Sequence, residues 1–264
     1  MSKVEAPEIK KFNKECEANI AGYSTDDEWQ QLSTDWYARG VKQKYMYNFK
    51  FLGRPIIQNP ADMIAIQELI WEVKPSLIIE TGIAHGGSLI MSATMLAALD
   101  YCEAVENGQI LDPKKTHRHV LGIDVDIRSH NRVAIEAHPM SHRIDMIEGS
   151  SIAPEVIAQV HKIAKNYETT FVCLDSNHTH EHVLAELEAY APLASMGSYC
   201  VVFDTVIEDL PDDTFPDRPW CKGNNSKTAV WEYLKTHPEF KVDKQYNDKL
   251  VINSSPDGYL KRVR

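Results

Sequence analysis

No two cysteines in this chain form a C-x-x-C pair, and the five present, Cys16, Cys102, Cys173, Cys200 and Cys221, are odd in number. Neither a zinc knuckle nor a secreted disulfide frame is indicated, so the thiols are expected to be reduced and the protein cytoplasmic. There is no block of Lys and Arg with interleaved aromatics, and 28 basic against 38 acidic residues leave 28 − 38 = −10. That charge repels a phosphate backbone, so no nucleic acid partner is expected. The opening MSKVEAPEIKKFNKECEANIAG lacks the apolar core of a signal peptide. No run approaches the roughly 18 uncharged apolar residues of a membrane span, and no membrane partner is expected. Repeats and low-complexity stretches are missing too. What remains is 264 residues, 43% hydrophobic and 25% charged, the proportions of a globular chain that buries a sizeable core without a metal or disulfide staple.

Residues 1–50 are polar with scattered aromatics (Trp29, Trp36, Tyr37, Tyr45, Tyr47, Phe49), which predicts a helical appendage, a lid or an oligomer interface. Residues 51–264 show no linker and read as one domain. Asn59-Pro60 supplies an N-cap and a first-turn proline for a helix that Pro75 stops. Leu77-Ile78-Ile79 then reads as a buried strand, followed by a helix at Ser88–Leu99. The alternation continues with strands His119–Asp124, Arg143–Ile147, Thr170–Asp175 and Tyr199–Asp204. Helices at Ser129–His138, Pro154–Lys165 and His180–Tyr190 separate them. Strands joined by helices of this length predict right-handed crossovers, hence an α/β doubly wound, Rossmann-like and mostly parallel sheet. At the end, a helix at Lys227–Thr236 begun by Ser226 leads to Phe240–Tyr246 and Lys249–Ser254. Asn247-Asp248 between these two runs predicts an antiparallel C-terminal hairpin and seven strands in all.

The turn Glu80-Thr81-Gly82-Ile83-Ala84-His85-Gly86-Gly87-Ser88 lies between the first strand and its helix, where backbone N–H groups face a ligand. Its spacing is not G-x-G-x-x-G and no Lys precedes Ser88, which disfavours NAD and ATP. An acidic residue before such a turn suits a nucleoside with a cationic group, and S-adenosylmethionine (SAM) fits. Glu80 would lie near the positive end, Gly82, Gly86 and Gly87 would allow close approach, and Asp124 at the second strand's end would accept the ribose hydroxyls. Ser150 and Ser151, past the third strand, would flank the adenine. The plainer alternative is that the glycines only make the turn and Asp124 only caps a helix.

Asp175 and Asp204 end the fourth and fifth strands, neighbours about 4.8 Å apart in the order 3-2-1-4-5, so both can converge on one cation. Two carboxylates suit Mg²⁺ better than Zn²⁺. His178, three residues beyond Asp175 on the same edge, is placed to take a proton from a metal-bound hydroxyl. His180 and His182 are expected to begin a helix, and Glu208 and Asp209 to be loop acids. His85 packs under the cofactor or touches it. A strand-end Asp also serves commonly as a plain N-cap.

Further segments carry a resemblance: Tyr47-Asn48-Phe49, Gly53-Arg54-Pro55-Ile56-Ile57-Gln58, Glu80-Thr81-Gly82 with Gly86-Gly87-Ser88, Leu174-Asp175-x-x-His178, Val202-Phe203-Asp204-Thr205 and Pro256-Asp257-Gly258-Tyr259-Leu260-Lys261-Arg262. From about Tyr45 onward the chain resembles the cephalosporin hydroxylase family, whose relatives include SAM-dependent O-methyltransferases acting on rhamnosyl and macrolide sugars. The resemblance implies a methyltransferase fold, bound Mg²⁺ with Asp175 as a ligand, His178 as base, Glu80 to Ser88 including Thr81 around the cofactor, a sugar or nucleotide-sugar acceptor, and a homo-oligomer. Close sugar methyltransferases of this group carry Glu-Asp where this chain has Phe203-Asp204, which leaves Thr205, Glu208 or water to complete the site. Two rival functions are a non-catalytic nucleoside-binding module and a metal-dependent hydrolase, the latter leaving Glu80 and Asp124 without a role.

Overall fold

The computed structural model describes residues 6–264. The first five residues of the expected appendage lie outside the described residues. Helices α1 (Pro7–Tyr23) and α2 (Asp27–Lys42) come first. Asp26 accepts the N–H of Trp29 at 3.0 Å and caps α2. No residue of α1 is buried, whereas α2 turns Tyr37 inward. Strands β1 (Phe49–Phe51) and β2 (Arg54–Ile56) form a small antiparallel hairpin that straddles residue 50. Helix α3 (Pro60–Val73) begins where Asn59-Pro60 predicts. Asn59, however, spends its amide on the Ile252 carbonyl at 2.8 Å and makes no side-chain cap bond.

The main layer follows as β3 (Leu77–Thr81), α4 (Gly87–Asn107), β4 (His119–Asp124), α5 (Ser129–Glu136), β5 (Ile144–Glu148), α6 (Pro154–Ala164), β6 (Thr170–Leu174), α7 (His180–Tyr190) and β7 (Tyr199–Val202). It closes with α8 (Ser226–Thr236), β8 (Phe240–Val242), α9 (Lys244–Lys249) and β9 (Tyr259–Arg262). The seven-stranded sheet runs β5-β4-β3-β6-β7-β9-β8. Its first five strands are parallel, and β9 is antiparallel to both β7 and β8. The order reverses at β3, so the crevice beyond the carboxyl ends of β3 and β6 is where such a sheet binds ligands.

Alternation along the strands divides the core in two. Ile78, Val120, Phe171 and Val201 pack with α3, α4 and α5 residues such as Leu69, Leu89 and Ile135. Ile79, Leu121, Val172 and Val202 pack on the other face with α6, α7 and α8 through Val160, Leu187 and Val230. Helix α4 is long and apolar enough, by length and composition only, to cross a membrane, although Asp100 and Glu103 interrupt its uncharged run. Here Leu89, Ala93, Leu96 and Leu99 are buried in the core beside the sheet, which is the physical source of its apolarity.

The expected antiparallel pair at the C-terminus is present, between different residues. Asn247-Asp248 makes no turn, because Asp243 caps Gln245 N at 3.0 Å and starts α9 there. The antiparallel partner of β8 is β9, with Phe240 opposite Arg262, and residues 249–254 are not a strand. The intervening segment is tied down instead by buried Asp62, which accepts from Ser254 N at 2.8 Å, Ser254 Oγ at 3.0 Å and Tyr259 Oη at 2.7 Å. Helix α8 is capped by Asn225, one residue before the expected Ser226, in a reciprocal capping box with Thr228.

Candidate active site

Pairing between strands carries the site residues to one edge. Past β3 and β6 the ladder continues by one step, with Asp175 N donating to Thr81 O at 3.0 Å. Past β6 and β7 it continues again, with Phe203 N donating to Leu174 O at 2.9 Å. These two steps set Asp175 and Asp204 side by side beyond the sheet. Gly82 is required there: its φ is +89°, and a Cβ would stand 2.0 Å from the Asp175 carbonyl oxygen.

One ligand atom each of Asp175, His178 and Asp204 lies within 4.8 Å of the others. His178 Nε2 is 3.0 Å from Asp204 Oδ2, and its ring meets Trp220 edge-on with centroids 4.7 Å apart. Asp204 is in the left-handed region at φ +56°, a conformation costly for most side chains and concentrated at functional sites. Asp175 accepts from Gln58 Nε2 at 2.8 Å. Burial, then the neighbouring charges of Asp204, Glu80, Glu186 and Asp62, hold its carboxyl well above the usual range. Among the described residues no Lys or Arg pairs with Asp175 or Asp204. Two converging carboxylates and an imidazole without a cationic partner are a donor set that fits a hard divalent ion.

The expected stand-ins for a second strand-end carboxylate are otherwise engaged. Thr205 Oγ1 donates to Pro256 O at 2.6 Å, and Glu208 accepts from Gly223 N at 2.8 Å and Asn225 Nδ2 at 2.6 Å. Asp209 pairs with Lys227 at 2.7 Å. The third donor that the fold supplies is His178 itself. His180 starts α7, bonded to Thr228, and His182 sits between Ser151 and Glu186, away from the trio.

At the glycine turn, Glu80 is buried and accepts a hydrogen bond from Ser88 Oγ. Burial pushes its carboxyl up to about 7 against the pull of that bond. Asp124 Oδ2 accepts from Ile83 N at 2.8 Å and Ala84 N at 3.2 Å, so one of its oxygens braces the turn. Its other oxygen accepts from Asp126 N at 3.1 Å. Thr81 is buried with its hydroxyl toward Asp175 N at 3.3 Å, and Gly86 packs against Ile135. His85 accepts through its carbonyl from Arg54 of the β1–β2 hairpin, which clamps the turn.

Three cavities meet here. The largest, about 550 Å³, is lined by Asp175, His178 and Asp204 together with Tyr37, Trp220 and Arg218. A small one of about 40 Å³ is lined by Gly82, Gly87 and Ser88 under Pro55 and Ile57. A smaller one, about 20 Å³, lies against Glu80, Ser88 and Asp62. Ser150 and Ser151 line none of the three. Ser151 is buried, with Oγ 3.0 Å from His182 Nε2 and its carbonyl accepting from Tyr190 Oη. The sequence reading leaves Gln58, Asp62 and Tyr37 without roles. The signal for Gln58 was its position, a polar residue ending Pro55-Ile56-Ile57; Tyr37 carried no signal beyond its aromatic spacing.

Residues 43–263 match the family described as rhamnosyl O-methyltransferase/CmcI. The chain belongs to the rhamnosyl O-methyltransferase/CmcI family. Its class is accordingly that of the SAM-dependent O-methyltransferases. It is 30% identical over 217 residues to rhamnosyl O-methyltransferase of Mycobacterium tuberculosis, covering 80% of this chain and 77% of that protein. The Mycobacterium leprae rhamnosyl O-methyltransferase is 31% identical over 186 residues, with 67% and 72% covered. The fold is shared with a solved structure of CmcI with Mg and SAM, at 17% identity and a TM-score of 0.51 over 83% of this chain and 78% of that one. In family terms, the glycine turn and the strand-end acids stand at the ligand-binding edge of a Rossmann-like methyltransferase sheet.

Proposed function

We propose that this family member transfers the methyl group of SAM to a hydroxyl of a sugar or sugar-containing small molecule, assisted by Mg²⁺. The observation that carries the reading is the convergence of Asp175, His178 and Asp204 in the lining of the 550 Å³ cavity, with Asp175 also lining the glycine-turn cavities. The mycobacterial relatives bear the name rhamnosyl O-methyltransferase, which supports a sugar acceptor.

Methyl transfer from a sulfonium is an in-line displacement in which the protein forms no covalent bond, so its tasks are alignment and proton removal. The donor lies along Gly82, Gly87 and Ser88, with buried Glu80 near its cationic end. The acceptor occupies the larger cavity. Its hydroxyl oxygen attacks the methyl carbon, the C–S bond breaks with its electron pair going to sulfur, and the proton goes to the ring nitrogen of His178 that does not face Asp204. Asp204, 3.0 Å from Nε2, stabilises the imidazolium. Trp220 packs against the ring and limits its rotation. Asp175 and Asp204 would hold Mg²⁺, which when bound supplies Lewis-acid polarisation of the acceptor oxygen.

Incubation with SAM and a panel of rhamnosides and nucleotide sugars, read by mass spectrometry, should show one acceptor gaining a single CH₂ in mass together with S-adenosylhomocysteine (SAH). Chelation by EDTA should abolish the signal and Mg²⁺ should restore it. Turnover that survives complete metal removal would end the cation's role, and absence of SAH binding by calorimetry would end the donor assignment.

A further inference from the structure

Gln58 sits between β2 and α3, in the segment that roofs the glycine turn. Its side chain reaches 117 residues along the chain to donate from Nε2 to Asp175 Oδ2 at 2.8 Å. Gln58 and Asp175 are the two residues common to the linings of all three cavities, so the donor-side cavities and the large cavity meet at this hydrogen bond. A half-buried carboxylate shielded from bulk water needs a donor, and among the described residues Gln58 supplies the one side-chain hydrogen bond to it. The donor is neutral. A Lys or Arg in its place would cancel the negative charge that a cation needs, whereas an amide fixes the rotation of the carboxylate and leaves both its charge and its second oxygen available.

We propose that Gln58 is a positioning residue that orients the Asp175 carboxylate for a divalent cation at the point where the donor and acceptor cavities join. The inference rests on the reading of Asp175 as a cation ligand. Partners that hold a metal-binding side chain in place affect metal affinity by about 10–100-fold when removed.

The test is titration calorimetry on the full chain with MnCl₂ and, separately, with SAH, for the wild type, Gln58→Met and Gln58→Ala. Methionine keeps the length and wall of the cavity but loses the amide; alanine loses both, and the methionine variant carries the test where the alanine one fails to fold. Mn²⁺ binding should weaken by about 10–100-fold in Gln58→Met, while its SAH affinity stays within twofold and its thermal midpoint is unchanged. Unaltered Mn²⁺ affinity in Gln58→Met overturns the inference, as does a parallel loss of Mn²⁺ and SAH binding, which marks a general support of the turn. A wild-type protein that binds SAH but no Mn²⁺ fails at an earlier point: it overturns the cation reading itself, and the inference with it.

Discussion

His178 and Glu80 carry the sharpest expectations at the scale of single residues. His178→Ala removes the group proposed to take the acceptor's proton, so turnover should fall by about 10²–10⁴-fold while SAH binding is retained. The same variant separates base from ligand: Mn²⁺ affinity is kept if His178 is only the base, and is lost with turnover if its imidazole completes the cation site. Glu80 offers a stability measurement that needs no acceptor. Its carboxyl is raised from 4.5 to about 7 in the folded chain, so folding favours the protonated form. The contribution is fully present below about pH 4.5 and is lost as pH rises through about 7. At 1.36 kcal/mol per unit, ionised Glu80 costs the folded state about 3 kcal/mol above that pH. Glu80→Gln should therefore unfold at the same denaturant midpoint as wild type near pH 4 and at a higher one near pH 8. A difference independent of pH would show that burial does not shift this group. Asp62 is raised in the same sense, to about 6, but its three hydrogen bonds to Ser254 and Tyr259 give it a structural task that an amide cannot fully replace.

Elements decide whether these residues meet. The turn after β3 approaches the loop after β6 so closely that Gly82→Ala would push a methyl group into the Asp175 carbonyl at a backbone φ of +89°. The variant should lose several kcal/mol of stability, read as a lower thermal midpoint, and SAH binding with it. The β1–β2 hairpin acts on the same turn from outside, since Arg54 donates through Nε at 3.0 Å and through Nη2 to the His85 carbonyl, and to Asn131 at 3.1 Å. Arg54→Ala should weaken SAH binding in calorimetry while leaving the thermal midpoint nearly unchanged, because Phe49, Phe51 and Ile56 keep the hairpin packed on the core without the Arg54 side chain. The helix–strand alternation at this scale was legible in advance: the strand ends carrying Glu80, Asp124, Asp175 and Asp204 lie where short apolar runs stop. The hairpin, α9 and the true last strand were not. Residues 240–254 contain enough β-branched and aromatic side chains to read as two strands, but the Asp243 cap and the distant hold of Asp62 on Ser254 give the backbone another route.

Across the whole molecule, the N-terminal helices differ in how far they are engaged. Helix α1 buries nothing and leaves Ile9 and Phe12 exposed, whereas α2 and the turn after it bring Tyr37 and Met46 against Val206 and Leu210 at the large cavity. A homo-oligomer is proposed on the family resemblance, and light scattering on the full chain tests it. Tyr37→Ala should alter acceptor binding more than SAH binding, since Tyr37 lines only the larger of the three cavities.

What the sequence determined alone is the part with local causes. Short continuous apolar runs between helical stretches specify a parallel sheet with helices on both faces, and turn residues at strand ends mark the binding edge. Only the tertiary structure decided which atoms meet there. It placed Gln58 on Asp175, set His178 rather than Thr205 or Glu208 beside the two acids, turned Asp124 to the backbone of the glycine turn and pointed Ser151 toward α7. Apart from the local step from Asp175 to His178, these contacts join segments far apart in the chain, and side-chain direction at such a junction follows from strand register and packing, which no local pattern encodes.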